Sequence, residues 1–202
     1  AAYKYNRIVQ HGVQLRSSVA IREAVQHLKS GLIGRVYMSR GVVYRWRPDI
    51  GNKGISQKPA GLDYDLWCGP APVVPFTKNL VHYNWHWHWN YGNGDVGNQG
   101  IHETDLCLWG LGLDHLPERI TSMGGKFLWD DCKEVPEIQT SIYHYPKEKK
   151  IIQIEVGDVV PDILEYCDTT PEYFQDNVMI ISPAGLTNPC GFDYAGDIRF
   201  YL

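Results

Sequence analysis

The chain has 202 residues, 44% of them apolar and 21% charged, an ordinary balance for a folded globular protein that argues against extensive disorder. Nineteen basic and 23 acidic side chains leave a net charge of −4, which provides no cationic field for a phosphate backbone, so nucleic acid is not an expected partner. No apolar run reaches the roughly 18 to 20 residues of a membrane span, and the opening AAYKYNR lacks the apolar segment of a signal peptide.

Residues 7–14 (RIVQHGVQ) read as a short strand. A helix is predicted over 18–30: Ser18 can cap it, Ile21, Val25 and Leu28 recur at spacings of four and three, and Gly31 follows where a helix should stop. Residues 35–47 (RVYMSRGVVYRWR) alternate as a half-covered strand, with Val36, Met38, Val42, Tyr44 and Trp46 on one face, ended by Pro48. Residues 49–61 are rich in Gly, Lys, Asn and Pro without periodicity, which predicts an exposed excursion. A turn-rich stretch at 62–76 leads into an aromatic and histidine cluster at 81–91 (VHYNWHWHWNY) that reads as a strand. After the glycines of GNGDVG, residues 98–111 read as a helix stopped by Gly112.

The pattern then becomes β-rich at 118–129, 137–145 and 150–156, the last two joined by PKEK as a hairpin, with further strands fitting 178–182 and 197–202. Helices first and antiparallel strands after predict an α+β fold, an open, mostly antiparallel sheet with helices packed on one face. The five cysteines, Cys68, Cys107, Cys132, Cys167 and Cys190, are odd in number and widely spread, so buried free thiols are expected rather than a disulfide framework.

Gly92, Gly94 and Gly97 spell G-x-G-x-x-G, the dinucleotide fingerprint. The preceding HYNWHWHWN is too polar for a strand buried on both faces, and no second strand-helix unit follows. The glycines are therefore read as turn residues and Asp95 as the cap of the helix that follows.

On that helix Asn98, His102, Asp105 and Trp109 fall at spacings of four, three and four, one polar stripe opposite Ile101, Leu108 and Leu111. A histidine there can move a proton near neutral pH, and a carboxylate one turn away can orient it; a solvated helix face is the simpler alternative. His82, His86, His88, Asp95 and His102 offer a second possibility, a metal-dependent hydrolase, because alternate strand positions would put His86 and His88 on one face. The same histidines with Trp85, Trp87 and Trp89 could instead wall a sugar site.

The run HYNWHWHWNYGNGDVGNQGIHETDLCLWGLG, with DYDLWCGPAPVVPF and YNRIVQHGVQLRSS before it, resembles the glucose-fructose oxidoreductase / inositol dehydrogenase (Gfo/Idh/MocA) family over residues 3–156. The resemblance implies two-domain enzymes, with a Rossmann domain for NAD or NADP and a second domain built on an open sheet. Residues 1–16 then correspond to the end of the Rossmann domain and its crossover, and 17–202 to the C-terminal substrate-binding and oligomerisation domain, incomplete at its own C-terminus. The family's D-x-x-x-H pair maps onto Asn98 and His102, with His102 matching the residue that exchanges a proton with a substrate hydroxyl and Asn98 standing where an aspartate is usual.

Gln14 and Arg16 match residues that reach toward the nicotinamide, while His86, Trp87, Tyr44 and Asp105 are assigned to substrate. The implied function is NAD(P)-dependent oxidoreduction at a hydroxyl of a sugar or polyol, with the cofactor not held tightly by this chain alone. A non-catalytic carbohydrate- or partner-binding module of the same fold is the alternative. The expected partners are a small carbohydrate and a second copy of the chain through the sheet face, with no membrane. Either the cytoplasm or export fits the sequence.

Overall fold

The computed structural model describes residues 2–52, 54–158, 179–181 and 196–201. Two helices and one sheet face make its core. Helix α1 is a single turn, Ala2–Tyr5, and helix α2 spans Val19–Lys29. The Ser18 hydroxyl accepts from the Ile21 amide at its start, and Gly31, at φ +80°, follows its end. Ile21, Val25 and Leu28 form its buried stripe. Helix α3 is Tyr64–Cys68, α4 is Asp95–Asn98 and α5 is Gly100–Leu111, closed by Gly112 in the left-handed conformation. No helix among the described residues is long and apolar enough to cross a membrane.

The strands are β1 (Met38–Arg45), β2 (Arg119–Gly125), β3 (Ile138–Tyr145), β4 (Lys150–Asp158), β5 (Met179–Ile181) and β6 (Gly196–Tyr201), in the sheet order β2-β3-β4-β1-β6-β5. Strands β3 and β4 form the predicted hairpin, closed by a turn in which Lys149, at φ +55°, donates its amide to the Pro146 carbonyl. All pairings are antiparallel except β1 with β4, so the α+β reading holds and the sheet is mixed.

Two segments differ from the sequence expectation. Residues 7–13 form no strand, because no strand among the described residues lies alongside to take their backbone hydrogen bonds; Ile8 and Val9 are exposed. Residues 84–87 form a 3-10 turn rather than a strand, since His86, Trp87 and His88 are buried in succession and alternation is lost. In β1 the fully covered residues are Ser39, Gly41 and Val43, and Met38, Val42 and Tyr44 share the opposite, half-open face, as the alternation predicts. Residues 49–52 and 54–61 are largely exposed as expected, tied down by an isolated bridge between Ile55 and Thr77. Cys68 and Cys107 are buried free thiols and Cys132 is half-buried, while Cys167 and Cys190 lie outside the described residues.

The main core joins Ile21, Val25 and Leu28 of α2 to Leu106, Cys107 and Leu111 of α5 and to Val43, Ile152, Ile154 and Val156 of the sheet. A smaller cluster of Tyr64, Cys68 and Leu80, with Trp67, Phe76 and Tyr91 packed on it, gathers the long loops before α4.

Gly41 lets α5 lie flat on β1: a methyl group there would stand 2.8 Å from Glu103 Cβ and 2.9 Å from Ile154 Cδ1. Gly41→Ala is expected to lower stability by about 1–3 kcal/mol through overpacking. Urea denaturation checks this, and an unchanged midpoint would mean that helix and strand are farther apart than described.

Candidate active site

Past the end of β1, Arg47 meets the start of α4. The Asp95 side chain does not cap that helix, as the sequence suggested; Gly94 occupies the cap position. The Asp95 carboxylate instead accepts two hydrogen bonds from Arg47, Nε to Oδ2 at 2.8 Å and Nη2 to Oδ1 at 2.7 Å, and both residues are buried. Arg47 Nη1 donates to the Tyr83 hydroxyl at 2.6 Å, and Asn98 Nδ2 donates to Asp95 Oδ1 at 3.3 Å. Burial works against the Arg47 charge, but Asp95 and Tyr83 outweigh it and hold its pKa above the ordinary value.

Asn98 ends α4, and His102, Asp105 and Trp109 continue the stripe along α5, all of them half-buried. The 3-10 turn Gln14–Ser17 lies against them. The Gln14 side-chain amide is 3.4 Å from His102 Nε2, and Arg16 binds both oxygens of Asp105 at 2.8 Å while its guanidinium stands 5.0 Å over the Trp109 ring. Burial lowers the His102 pKa, Arg45 lowers it further, and Asp105 offsets part of the fall. Burial therefore favours the neutral imidazole, the form able to accept a proton.

Arg16 and Asp105 thus engage each other, a pairing that sequence reading had assigned separately to cofactor and substrate. A concavity of about 700 Å³ opens beside the Trp109 end of the stripe, lined by Arg16, Lys29, Leu108, Trp109, Leu113 and His115; His102 is not among its walls.

Other expected contacts are not brought here. Trp87 and His86 are each 1% exposed, which leaves no surface for a sugar. The Trp87 ring lies 5.1 Å from the Lys133 ammonium, and His86 Nδ1 donates to the Tyr83 carbonyl at 2.9 Å. Tyr44 lies on the sheet face away from α5, with its hydroxyl donating to Glu155 Oε2 at 3.1 Å. The metal reading also fails: His82 is exposed, His88 pairs with Glu134, and among the described residues no three His, Cys, Asp or Glu side chains converge as a metal would require.

Nor do Gly92, Gly94 and Gly97 form an open phosphate cradle. Gly94 donates its amide to the His86 carbonyl, and a methyl group on Gly92 would collide with the His86 backbone. The glycines fold the loop onto its own chain, and the residues present do not fit a dinucleotide.

Sequence reading missed Arg47, Tyr83 and Glu103. Only Glu103 left a signal: it shares the inner face of α5 with Cys107, at helical spacing. It is fully buried, and burial pushes its carboxyl up to about 7, with Asp95 adding to the rise and Gln99 and Arg45 opposing it.

A family model described as "Oxidoreductase family, C-terminal alpha/beta domain", of the Gfo/Idh/MocA group, matches residues 17–152. No curated protein matches the sequence. Among solved structures the chain is similar to the WlbA dehydrogenase of Chromobacterium violaceum, determined with NADH and UDP-GlcNAcA (TM-score 0.52, 18% identity, 79% of this chain and 36% of that one). It is similar to the aldose-aldose oxidoreductase of Caulobacter crescentus, determined with glycerol (TM-score 0.53, 13% identity, 77% and 36%). A Desulfitobacterium hafniense oxidoreductase described as NADPH-dependent is also similar (TM-score 0.54, 15% identity, 79% and 36%). At these identities the likeness is one of fold, and the matched region spans about a third of each of those chains.

The buried acid gives the domain a pH signature. The folded state holds the Glu103 proton up to about pH 7, whereas an unfolded glutamate loses it near about 4.3, so stability falls as pH rises between these values. Glu103→Gln should flatten that fall, which urea midpoints measured across the range will show; parallel curves for the two proteins would rule out the raised pKa.

Proposed function

Because the chain belongs to the Gfo/Idh/MocA oxidoreductase family, we propose that it supplies the substrate-binding and proton-transfer part of an NAD(P)-linked oxidoreductase acting on a hydroxyl of a sugar or related polyol. The observation that carries this reading is the His102 imidazole: half-buried, on α5 with Asp105 one turn ahead of it, and following Asn98 at the end of α4. A nicotinamide would supply the two-electron chemistry. In this reading it is held by polypeptide other than the described residues, with residues 1–16 leading from that domain and 17–202 forming this one.

His102 accepts the hydroxyl proton as the alcohol is oxidised and returns it in the reverse direction. Asn98, which can hydrogen-bond a hydroxyl but carries no charge, orients it. Asp105 favours the protonated imidazole as it forms, and Arg16 fixes Asp105 from two directions. Tyr83, with 58% of its surface exposed and its hydroxyl oxygen held by Arg47, is the ring we assign to sugar contact in place of Trp87 and His86.

The half-open sheet face carries Met38, Val42, Ile138, Ile142 and Ile151 around the paired Arg40 and Glu155, and this apolar surface supports association with a second copy of the chain.

In the intact polypeptide, assayed with a sugar panel and either nicotinamide cofactor, His102→Ala is expected to lower kcat about 100-fold or more. Since burial depresses its pKa, the wild-type alcohol-oxidation rate should hold on the acid side to below about pH 6.5 before falling. Equal turnover by the variant would remove His102 from the chemistry, and sugar binding without turnover by the wild type would favour a binding module.

A further inference from the structure

Asn98 closes α4 beside a buried carboxylate, and its surroundings decide which way its amide is turned. Its side chain meets Asp95 Oδ1 at 3.3 Å. A carboxylate only accepts hydrogen bonds, so of the two ends of the amide only the nitrogen can face it. Asp95 itself cannot turn away, because both its oxygens are held by Arg47 within a buried pair. Arg47 is held in turn on its remaining side by Tyr83.

We infer that Asp95 is a positioning residue for Asn98: it fixes the amide with Nδ2 inward, leaving Oδ1 to accept from the substrate, and it requires a neutral side chain at position 98. This rests on the proposed role of the stripe in handling a hydroxyl.

Two consequences follow. A carboxylate at position 98 would face another carboxylate at hydrogen-bonding distance, and two such groups cannot both ionise without a large rise in one proton affinity. The negative charge at Asp95 is neutralised by a buried guanidinium, and the neutral Asn98 one turn later is compatible with it. Asn98 Oδ1, like the neutral His102, also presents an acceptor, so the position takes a hydroxyl donor in preference to a carbonyl.

The test uses this chain without turnover. Asn98→Asp should bind a proton near neutral pH, so its melting temperature relative to wild type should drop by about 2–4 °C or more between about pH 5 and about pH 8. Asn98→Ser, which adds no charge, should show no such drop. By NMR, the wild-type Asn98 side-chain amide protons should exchange about tenfold more slowly than in Arg47→Met/Asp95→Leu, which removes the ion pair without leaving a buried charge behind. Absence of either signal overturns the inference.

Turnover in the intact polypeptide tests the other premise separately. There Arg47→Met/Asp95→Leu should lower kcat about tenfold with little change in KM if Asn98 orients the reacting hydroxyl. A wild type inactive on every sugar would overturn the proposed function while the amide measurement still decides the orientation.

Discussion

Helix α5 lies close against β1 at Gly41, and the placement of His102, Glu103 and Asp105 follows from that approach. Gly41 on β1 admits Glu103 Cβ and Ile154, while Gly100 at the start of the helix packs on Val156 and Ile154 at ordinary van der Waals distance. With that face pressed onto the strands, a period of 3.6 residues leaves no choice about the rest. Glu103 and Cys107 go inside, and His102, Asp105 and Trp109 go to the flank where the turn at 14–17 crosses. A bulkier residue at Gly41 would lift or rotate the helix and move the imidazole with it.

Charge is arranged around this geometry by the far end of β1. Arg45 and Arg47 alternate past the last buried strand residue and reach the starts of α4 and α5. Arg45 lowers the proton affinity of both His102 and Glu103, and Arg47 is absorbed by Asp95. A buried ion pair of this kind adds little net stability over an apolar replacement, because both charges lose their water. Its value lies in geometry: three hydrogen bonds on one guanidinium fix a carboxylate, a phenol and, through the carboxylate, an amide.

What the sequence revealed and what it hid divide along physical lines. Helix α2, helix α5 and the hairpin of β3 and β4 were legible because their causes are local: a capping serine, stripes at three and four, a glycine past each helix end and a tight turn. The polar stripe of Asn98, His102 and Asp105 was legible for the same reason. The ion pair of Arg47 and Asp95 spans 48 positions and leaves no periodic trace, so the sequence alone suggests a cap at Asp95. The cluster at 81–91 misled because alternation of tryptophan and histidine mimics a strand, whereas the loop reaching Lys133 and Glu134 buries three consecutive residues. Residues 7–14 have strand composition, but a strand exists only with a partner. The parallel pairing of β1 with β4 depends likewise on which distant strand arrives beside which.

The link between the turn at 14–17 and α5 is the remaining step. Arg16 and Asp105 are both partly exposed, so their ion pair contributes about 0–1 kcal/mol and cannot be what holds the domain together. Energy and orientation are separable here. A bidentate guanidinium–carboxylate contact admits few geometries, and the guanidinium over the Trp109 ring removes rotation about the contact. A weak but directional joint of this kind sets where Gln14 stands relative to His102 Nε2 and allows small adjustments at little energetic cost. That combination suits a proton-handling imidazole, which must keep its orientation while a substrate hydroxyl enters and a proton leaves.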